Sequence, residues 1–129
     1  MRRRSEREDG SAVVEFALLL PILFLVLLAA VQVGVLARDR LVLTQAARAG
    51  AREAAVSLDD AGVRQATLEA SPGLDPSLLE VGVVREGTLG TPVTVTVSYR
   101  AGMAGPLAGW LLPEVVDLRA VASMRQEVG

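Results

Sequence analysis

The spacing of hydrophobic positions changes period along the chain, and each change marks an element. Met1 to Gly10 is polar and charged, MRRRSEREDG, and an apolar run from Ser11 to Ala37 follows, SAVVEFALLLPILFLVLLAAVQVGVLA. Within that run Phe16 to Ala37 carries no charge and exceeds the roughly 20 helical residues that cross a bilayer core. Pro21 removes the helical hydrogen bond to the Ala17 carbonyl, which predicts a kink or a loosened turn there. From Arg38 to Val56 the pattern becomes amphipathic without a proline. Leu43, Ala46, Ala47, Gly50 and Ala54 share one side of a helical wheel, and Gln45, Arg48 and Arg52 share the other. The Ala46–Gly50–Ala54 ridge is small enough for a helix or sheet to approach closely, and Gly50 costs about 1 kcal/mol against Ala unless something packs there. A rod continuous from Val13 would be about 65 Å long at 1.5 Å per residue.

Beyond Val56 the period shifts again. Asp59 and Asp60 predict a cap and first turn for a short helix to about Ala70, after which Ser71-Pro-Gly and Asp75-Pro break the chain. Glu80 to Glu86 reads as a strand, with a turn over Glu86 to Gly90. Pro92 to Tyr99 alternates strictly, Val93, Val95, Val97 and Tyr99 against Thr94, Thr96 and Ser98. Ala101 to Pro113 is an apolar Gly/Pro-rich connection, and Val116 to Gln126 closes the pattern with Leu118, Ala120, Ala122 and Met124 on one face.

Composition narrows the function classes. The chain of 129 residues has no cysteine and no histidine, which removes disulfides, thiolate nucleophiles, the usual zinc sites and imidazole acid–base chemistry. The net charge of −2 and the scattered basic residues speak against a nucleic-acid partner. All 13 basic residues are Arg, Lys and Asn are absent, and Ile22 is the sole Ile, a bias that fits a GC-rich bacterial genome. No cofactor, metal site or enzymatic constellation is expected. Asp59 and Asp60 read as a cap rather than an acid pair. Arg48 and Arg52 read as a solvated face, or as a contact to a partner or lipid headgroups. Trp110 is open between an interfacial anchor, a docking surface and an ordinary core residue.

One residue violates the pattern. Glu15 puts a carboxylate inside the apolar run, where a charge is costly and calls for a partner. A removable secretory signal would want a shorter apolar core and a small-x-small cut after it, and a plain anchor needs neither Gly10 nor Glu15. A third reading accounts for both: a leader cut between Gly10 and Ser11, before the apolar segment. Gly10 leaves the backbone open to a peptidase, and the cut creates an α-amine at Ser11, one helical turn from Glu15. In a packed assembly the Glu15 carboxylate would neutralise the Ser11 amine of an adjacent subunit. Alternatively, Glu15 reaches the interface and stays in water.

The residues Gly10 to Val56 resemble the N-terminal segment of TadE-like proteins, pseudopilins of the tight-adherence (Flp) pilus system. The likeness lies in Gly10-x-x-x-x-Glu15-Phe16, the following Ala-Leu-Leu-Leu-Pro21, and Ala-Ala-Arg-x-Gly50-Ala-Arg52. VTVTVSY and ASMRQE more loosely resemble the family's closing strands. The resemblance implies cleavage by an aspartic membrane prepilin peptidase, with Gly10 before the cut and Glu15 as the motif's acidic position. It also implies retention in the cytoplasmic membrane and a part in pilus assembly. Phe16 is followed by Ala17 rather than the Tyr of the major Flp pilin, which favours a minor component.

The resulting expectation is an α+β protein: a long N-terminal transmembrane helix extending into a small extracytoplasmic domain with about three antiparallel strands. Its parts are a prepilin-type leader (1–10), a transmembrane helix (11–37), a helix extension (38–57) and the α+β domain (58–129). The residues singled out are Gly10 and Ser11 for the cut, Glu15 and Phe16 for assembly register, Pro21 for the kink, and Ala46, Gly50 and Ala54 for packing. The expected partners are a prepilin peptidase, other pilin-like subunits, the pilus assembly platform and membrane lipid. Arg2, Arg3, Arg4 and Arg7 before the segment are balanced by Arg38, Arg40, Arg48 and Arg52 after it, so charge does not orient it. The N-terminus is taken as cytoplasmic because the peptidase reading requires it. The rival is a single-pass membrane-anchored binding module with no leader cleavage.

Overall fold

The computed structural model describes residues 2–129 apart from Ala104, Pro106, Leu107, Ala108 and Leu111, which belong to the predicted apolar connection. The order of elements is helix α1 (Arg2–Val56), helix α2 (Asp60–Glu69), a 3-10 turn (Pro76–Leu78), and strands β1 (Leu79–Arg85), β2 (Pro92–Gly102) and β3 (Val115–Arg125). A long apolar N-terminal helix followed by a three-stranded antiparallel sheet makes the fold α+β, as the hydrophobic pattern predicts. The chain divides into two compact units, Met1–Val35 and Leu36–Gly129.

The first unit is helix throughout its described length and passes through Pro21. It begins at Arg2, well before the apolar run that starts at Ser11. The leader is built of Arg, Glu, Ser and Asp without a proline, and Arg and Glu are strong helix formers, so nothing before Gly10 interrupts the helix. Its apolar side chains are turned outward: Val13, Phe16, Leu19, Ile22, Leu23 and Val26 are all exposed.

In the second unit, one face of the α1 extension lies on the sheet. Leu43, Ala46, Ala47, Ala51 and Ala54 are fully buried. Of these, Leu43, Ala47, Ala51 and Ala54 share one core cluster with Val93, Val95 and Val97 of β2, likewise fully buried, and with Val63 of α2. Burying each of these valines contributes about 1.5–3 kcal/mol. The sheet order is β1-β2-β3. The register stacks the core face in rows: Leu79–Tyr99–Leu118, Val81–Val97–Ala120, Val83–Val95–Ala122 and Arg85–Val93–Met124. Thr94, Thr96 and Ser98 face the other way, as strand alternation requires.

Caps close the elements. Asp59 accepts hydrogen bonds from the N–H groups of Ala61 (3.0 Å) and Gly62 (3.2 Å), so it is the α2 N-cap. At the end of α1 the Ala55 carbonyl accepts from the Glu127 N–H at 2.7 Å, which joins the chain beyond β3 to the helix terminus. All three strands differ from expectation at their ends, β1 running one residue earlier, over Leu79–Arg85 rather than Glu80–Glu86. β2 continues past Tyr99 to Gly102 because Arg100, Ala101 and Gly102 pair with Asp117, Val116 and Val115. β3 ends at Arg125, and Gln126 turns away to exchange backbone hydrogen bonds with Gly90 and Thr91.

Candidate functional site

Gly10, Ser11, Glu15 and Phe16 all lie on α1 and are exposed. Ser11 and Glu15 are four residues apart, hence neighbours on one helix face. A Cβ added at Gly10 would meet nothing within 4 Å, so the Gly10–Ser11 peptide is sterically open. That peptide is nevertheless helical, and a protease subsite needs it extended. Gly10 lowers the cost of unwinding, because glycine is about 1 kcal/mol less favourable than Ala inside a helix. Among the described residues no ion pair involves Glu15. Just beyond it, Phe16, Leu19, Leu20, Ile22, Leu23 and Val26 line a shallow apolar depression beside Pro21.

Ala46, Gly50 and Ala54 on α1 are all buried. Gly50 is the tightest point. A Cβ there would overlap Thr67 Oγ1 of α2 and stand 3.2 Å from Val95 Cγ1 of β2. The ridge thus faces this chain's own α2 and β2 and is not a free surface. Gln45, Arg48 and Arg52 are exposed on the opposite side.

Polar residues absent from the sequence-based set hold the second unit together. Arg85 occupies the inward row of β1. Its guanidinium pairs with Asp60 and donates to the Ser57 carbonyl at 3.2 Å, so it clamps the α1–α2 linker to the sheet. Its alternation with Leu79, Val81 and Val83 is the signal that would have revealed it. Asp39 is 8% exposed, four residues before Leu43 on the same helix face, and its carboxylate lies 3.4 Å from Arg38 Nη1. Gln126 is buried and donates from Nε2 to the Val128 carbonyl at 2.7 Å. Arg38 also lies against Gly73, which has a positive φ of 79° and where a Cβ would come within 2.7 Å of Arg38 Nη2. At Asp75, the Ser77 hydroxyl and N–H both donate to the carboxylate and hold its pKa below the ordinary value of 3.8.

Among the described residues no group of three or more Asp or Glu side chains is placed to hold a metal ion. Among the described residues one helix is long and apolar enough to cross a membrane, with a mean hydropathy of 2.8 over its most apolar window and none of that window buried. The family model for TadE-like protein matches residues 10–52. This segment is TadE-like. The match begins at Gly10, the residue before the expected cut, and ends at Arg52, before α1 does. The TadE-like segment therefore contains Glu15, Pro21 and two members of the packing ridge, while α2 and the sheet lie outside the match. No curated protein and no solved structure matches the chain.

Proposed function

We propose that this chain is a pseudopilin of a tight-adherence (Flp, type IV-like) pilus or a related secretion apparatus. It is cut between Gly10 and Ser11 by a prepilin peptidase and acts in assembly as a minor component rather than as an enzyme. The observation that carries this reading is the coincidence of the TadE-like match with the sequence anomaly. The match starts at Gly10 and takes in the one charge of the apolar run. The TadE-like segment supports a pilus-associated pseudopilin class; the cut, the partners and the topology rest on the chemistry below.

Cleavage changes the electrostatics of the segment. Before it, Glu15 is a carboxylate in the apolar run with no ion-pair partner among the described residues. After it, each subunit carries a cation at Ser11 and an anion at Glu15, one turn apart on the same face. Side-by-side packing of segments 11–37 shifted along their axes brings the Glu15 of one to the Ser11 amine of the next. Removing one partner of such a desolvated pair costs about 3–5 kcal/mol, enough to set axial register. The outward apolar side chains, including those beside Pro21, supply the lateral contact with lipid or with other pilin-like helices. The N-terminus is cytoplasmic and the unit Leu36–Gly129 extracytoplasmic in this scheme, with the chain held in the cytoplasmic membrane and available to the assembly platform.

Glu15→Gln tests the pairing. The substitution keeps size and removes charge, so membrane insertion and leader removal should persist while recovery in cross-linked assemblies falls at least about tenfold, the equivalent of 1.4 kcal/mol. Undiminished assembly of Glu15→Gln would contradict the proposed pair.

A further inference from the structure

The sheet of the unit Leu36–Gly129 has two faces, and only one carries the core. The register sets the outer face in three rows: Val84–Thr94–Ser123, Gly82–Thr96–Val121 and Glu80–Ser98–Arg119. Val84 is 59% exposed and Val121 55%, although both stand within strands where a β-branched side chain is usually covered. Thr94, Thr96 and Ser98 are half-buried between them, and Glu80 and Arg119 are exposed. The space over Gly82 is open, since the nearest atom to an added Cβ is the Thr96 carbonyl oxygen of the neighbouring strand at 3.9 Å.

The outer rows are complementary to their own reverse. Glu80 and Arg119 close one row at its two ends, two strand spacings or about 9.6 Å apart. Among the described residues Arg119 has no ion-pair partner, and Glu80 has only Arg100 at 3.9 Å, with both side chains mostly in solvent. In the central row the bulk is just as uneven, with Val121 on β3 and no side chain at Gly82 on β1. Two such sheets laid face to face about 10 Å apart, around a two-fold axis along β2, set each β1 against the partner's β3 at the same height. Glu80 of each copy then meets the partner's Arg119, and Val121 enters the recess over the partner's Gly82. Val84 meets the partner's Ser123, and Thr96 meets the partner's Thr96 on the axis. Arg100 also approaches its own symmetry mate, but it stands beside Glu80 and opposite Asp117 in the register, so each copy compensates its own cation. The charges of the face, Glu80, Asp117, Arg100 and Arg119, cancel, so it favours neither an acidic nor a basic partner.

We propose that the outer face of the sheet is an interface between two copies of this chain, held by two reciprocal Glu80–Arg119 pairs and by Val121 of each copy over Gly82 of the other. The proposal involves neither leader cleavage nor the Ser11–Glu15 pair, and it adds a contact between copies made by the α+β unit itself. Three strands and three rows make a patch well short of a standard protein–protein interface, so the association is weak and is best read by cross-linking.

The chain has no cysteine, so Thr96→Cys in the full chain, in detergent, places a single thiol on the axis. Mild oxidation should join two such chains, whereas Gln45→Cys, exposed on the α1 extension, should give far less product. Adding Glu80→Arg or Arg119→Glu to Thr96→Cys sets like charges against each other and should lower the yield about fivefold. An equimolar mixture of the two charge variants should recover most of it, because each introduced charge then faces its opposite on the other chain, which no contact within one chain achieves. Gly82→Val supplies a variant that keeps its fold, since valine suits a strand better than glycine and its Cβ meets only ordinary contact. It should leave the urea midpoint unchanged or higher and still lower the Thr96→Cys yield about as much, because it fills the seat of Val121. A Thr96→Cys yield no greater than that of Gln45→Cys would overturn the proposal. So would charge variants that cross-link like the parent, a mixture that recovers nothing, or a Gly82→Val chain that cross-links undiminished.

Discussion

Gly50→Ala sets two effects of opposite sign against each other at the closest approach in the domain. In an unobstructed helix the substitution would stabilise by about 1 kcal/mol, because Ala is the better helix former. Here the new Cβ overlaps Thr67 Oγ1 and lies 3.2 Å from Val95 Cγ1. Thr67 is fully buried, and its hydroxyl donates to the Val63 carbonyl at 2.8 Å, so it cannot rotate away without losing that bond. The overlap costs about 1–3 kcal/mol as overpacking. A displaced Thr67 hydroxyl adds about 1 kcal/mol. Subtracting the helix gain leaves a net destabilisation of about 1–3 kcal/mol. Urea denaturation of the full chain in detergent, followed by far-UV circular dichroism, would read this as a lower midpoint with an unchanged slope. Thr67→Ala removes the obstructing oxygen, so the double variant Gly50→Ala, Thr67→Ala should be more stable than the two single losses added together predict. A Gly50→Ala protein as stable as the parent, or more so, would refute the close packing of α1 on α2 and β2.

Further predictions concern the polar contacts. Arg85→Met keeps the apolar stem on the sheet but frees Asp60 and the Ser57 carbonyl. It should cost about 1 kcal/mol, the exposed side of the pair being screened, and should speed hydrogen exchange through Ser57–Asp60. Arg85→Lys should recover little of this, since one ammonium does not reproduce the two-pronged contact. Asp75 contributes stability that is complete above its ordinary pKa of 3.8 and is lost as pH falls below that value through its depressed folded pKa. The Ser77 amide resonance should therefore shift only at acid pH, and Asp75→Asn should remove the titration. Gln126→Ala deletes a buried side chain whose Nε2 holds the Val128 carbonyl. The expected loss is about 1–2 kcal/mol, with faster exchange at Glu127, whose N–H binds the end of α1.

Elements whose signal is local were legible in the chain. The alternation of Val93 to Tyr99 gave both the strand and its buried face, and Asp59 gave the α2 cap. What escaped depends on partners distant in sequence. Arg85 is an inward polar residue whose meaning appears only when Ser57 and Asp60 are brought beside it. Asp39 follows the apolar periodicity as if it were a core position, and periodicity does not announce a buried carboxylate. The extra residues of β2 exist because β3 returns to pair with them. At the candidate site the reverse holds. Glu15 and Gly10 stand out in the sequence because one is a charge in an apolar run and the other precedes it at a fixed spacing, whereas on the isolated helix both are exposed positions. In the proposed function their significance lies in a covalent event and in neighbouring subunits, which a single uncut chain does not display.

The central claim is that the apolar segment acquires its working end by cleavage. Intact mass and N-terminal sequencing of the membrane-embedded protein, expressed with and without a prepilin peptidase, test it most directly. The account predicts a chain beginning at Ser11 when the peptidase is present and at Met1 when it is absent. A membrane fraction that retains Met1 in both cells would contradict it.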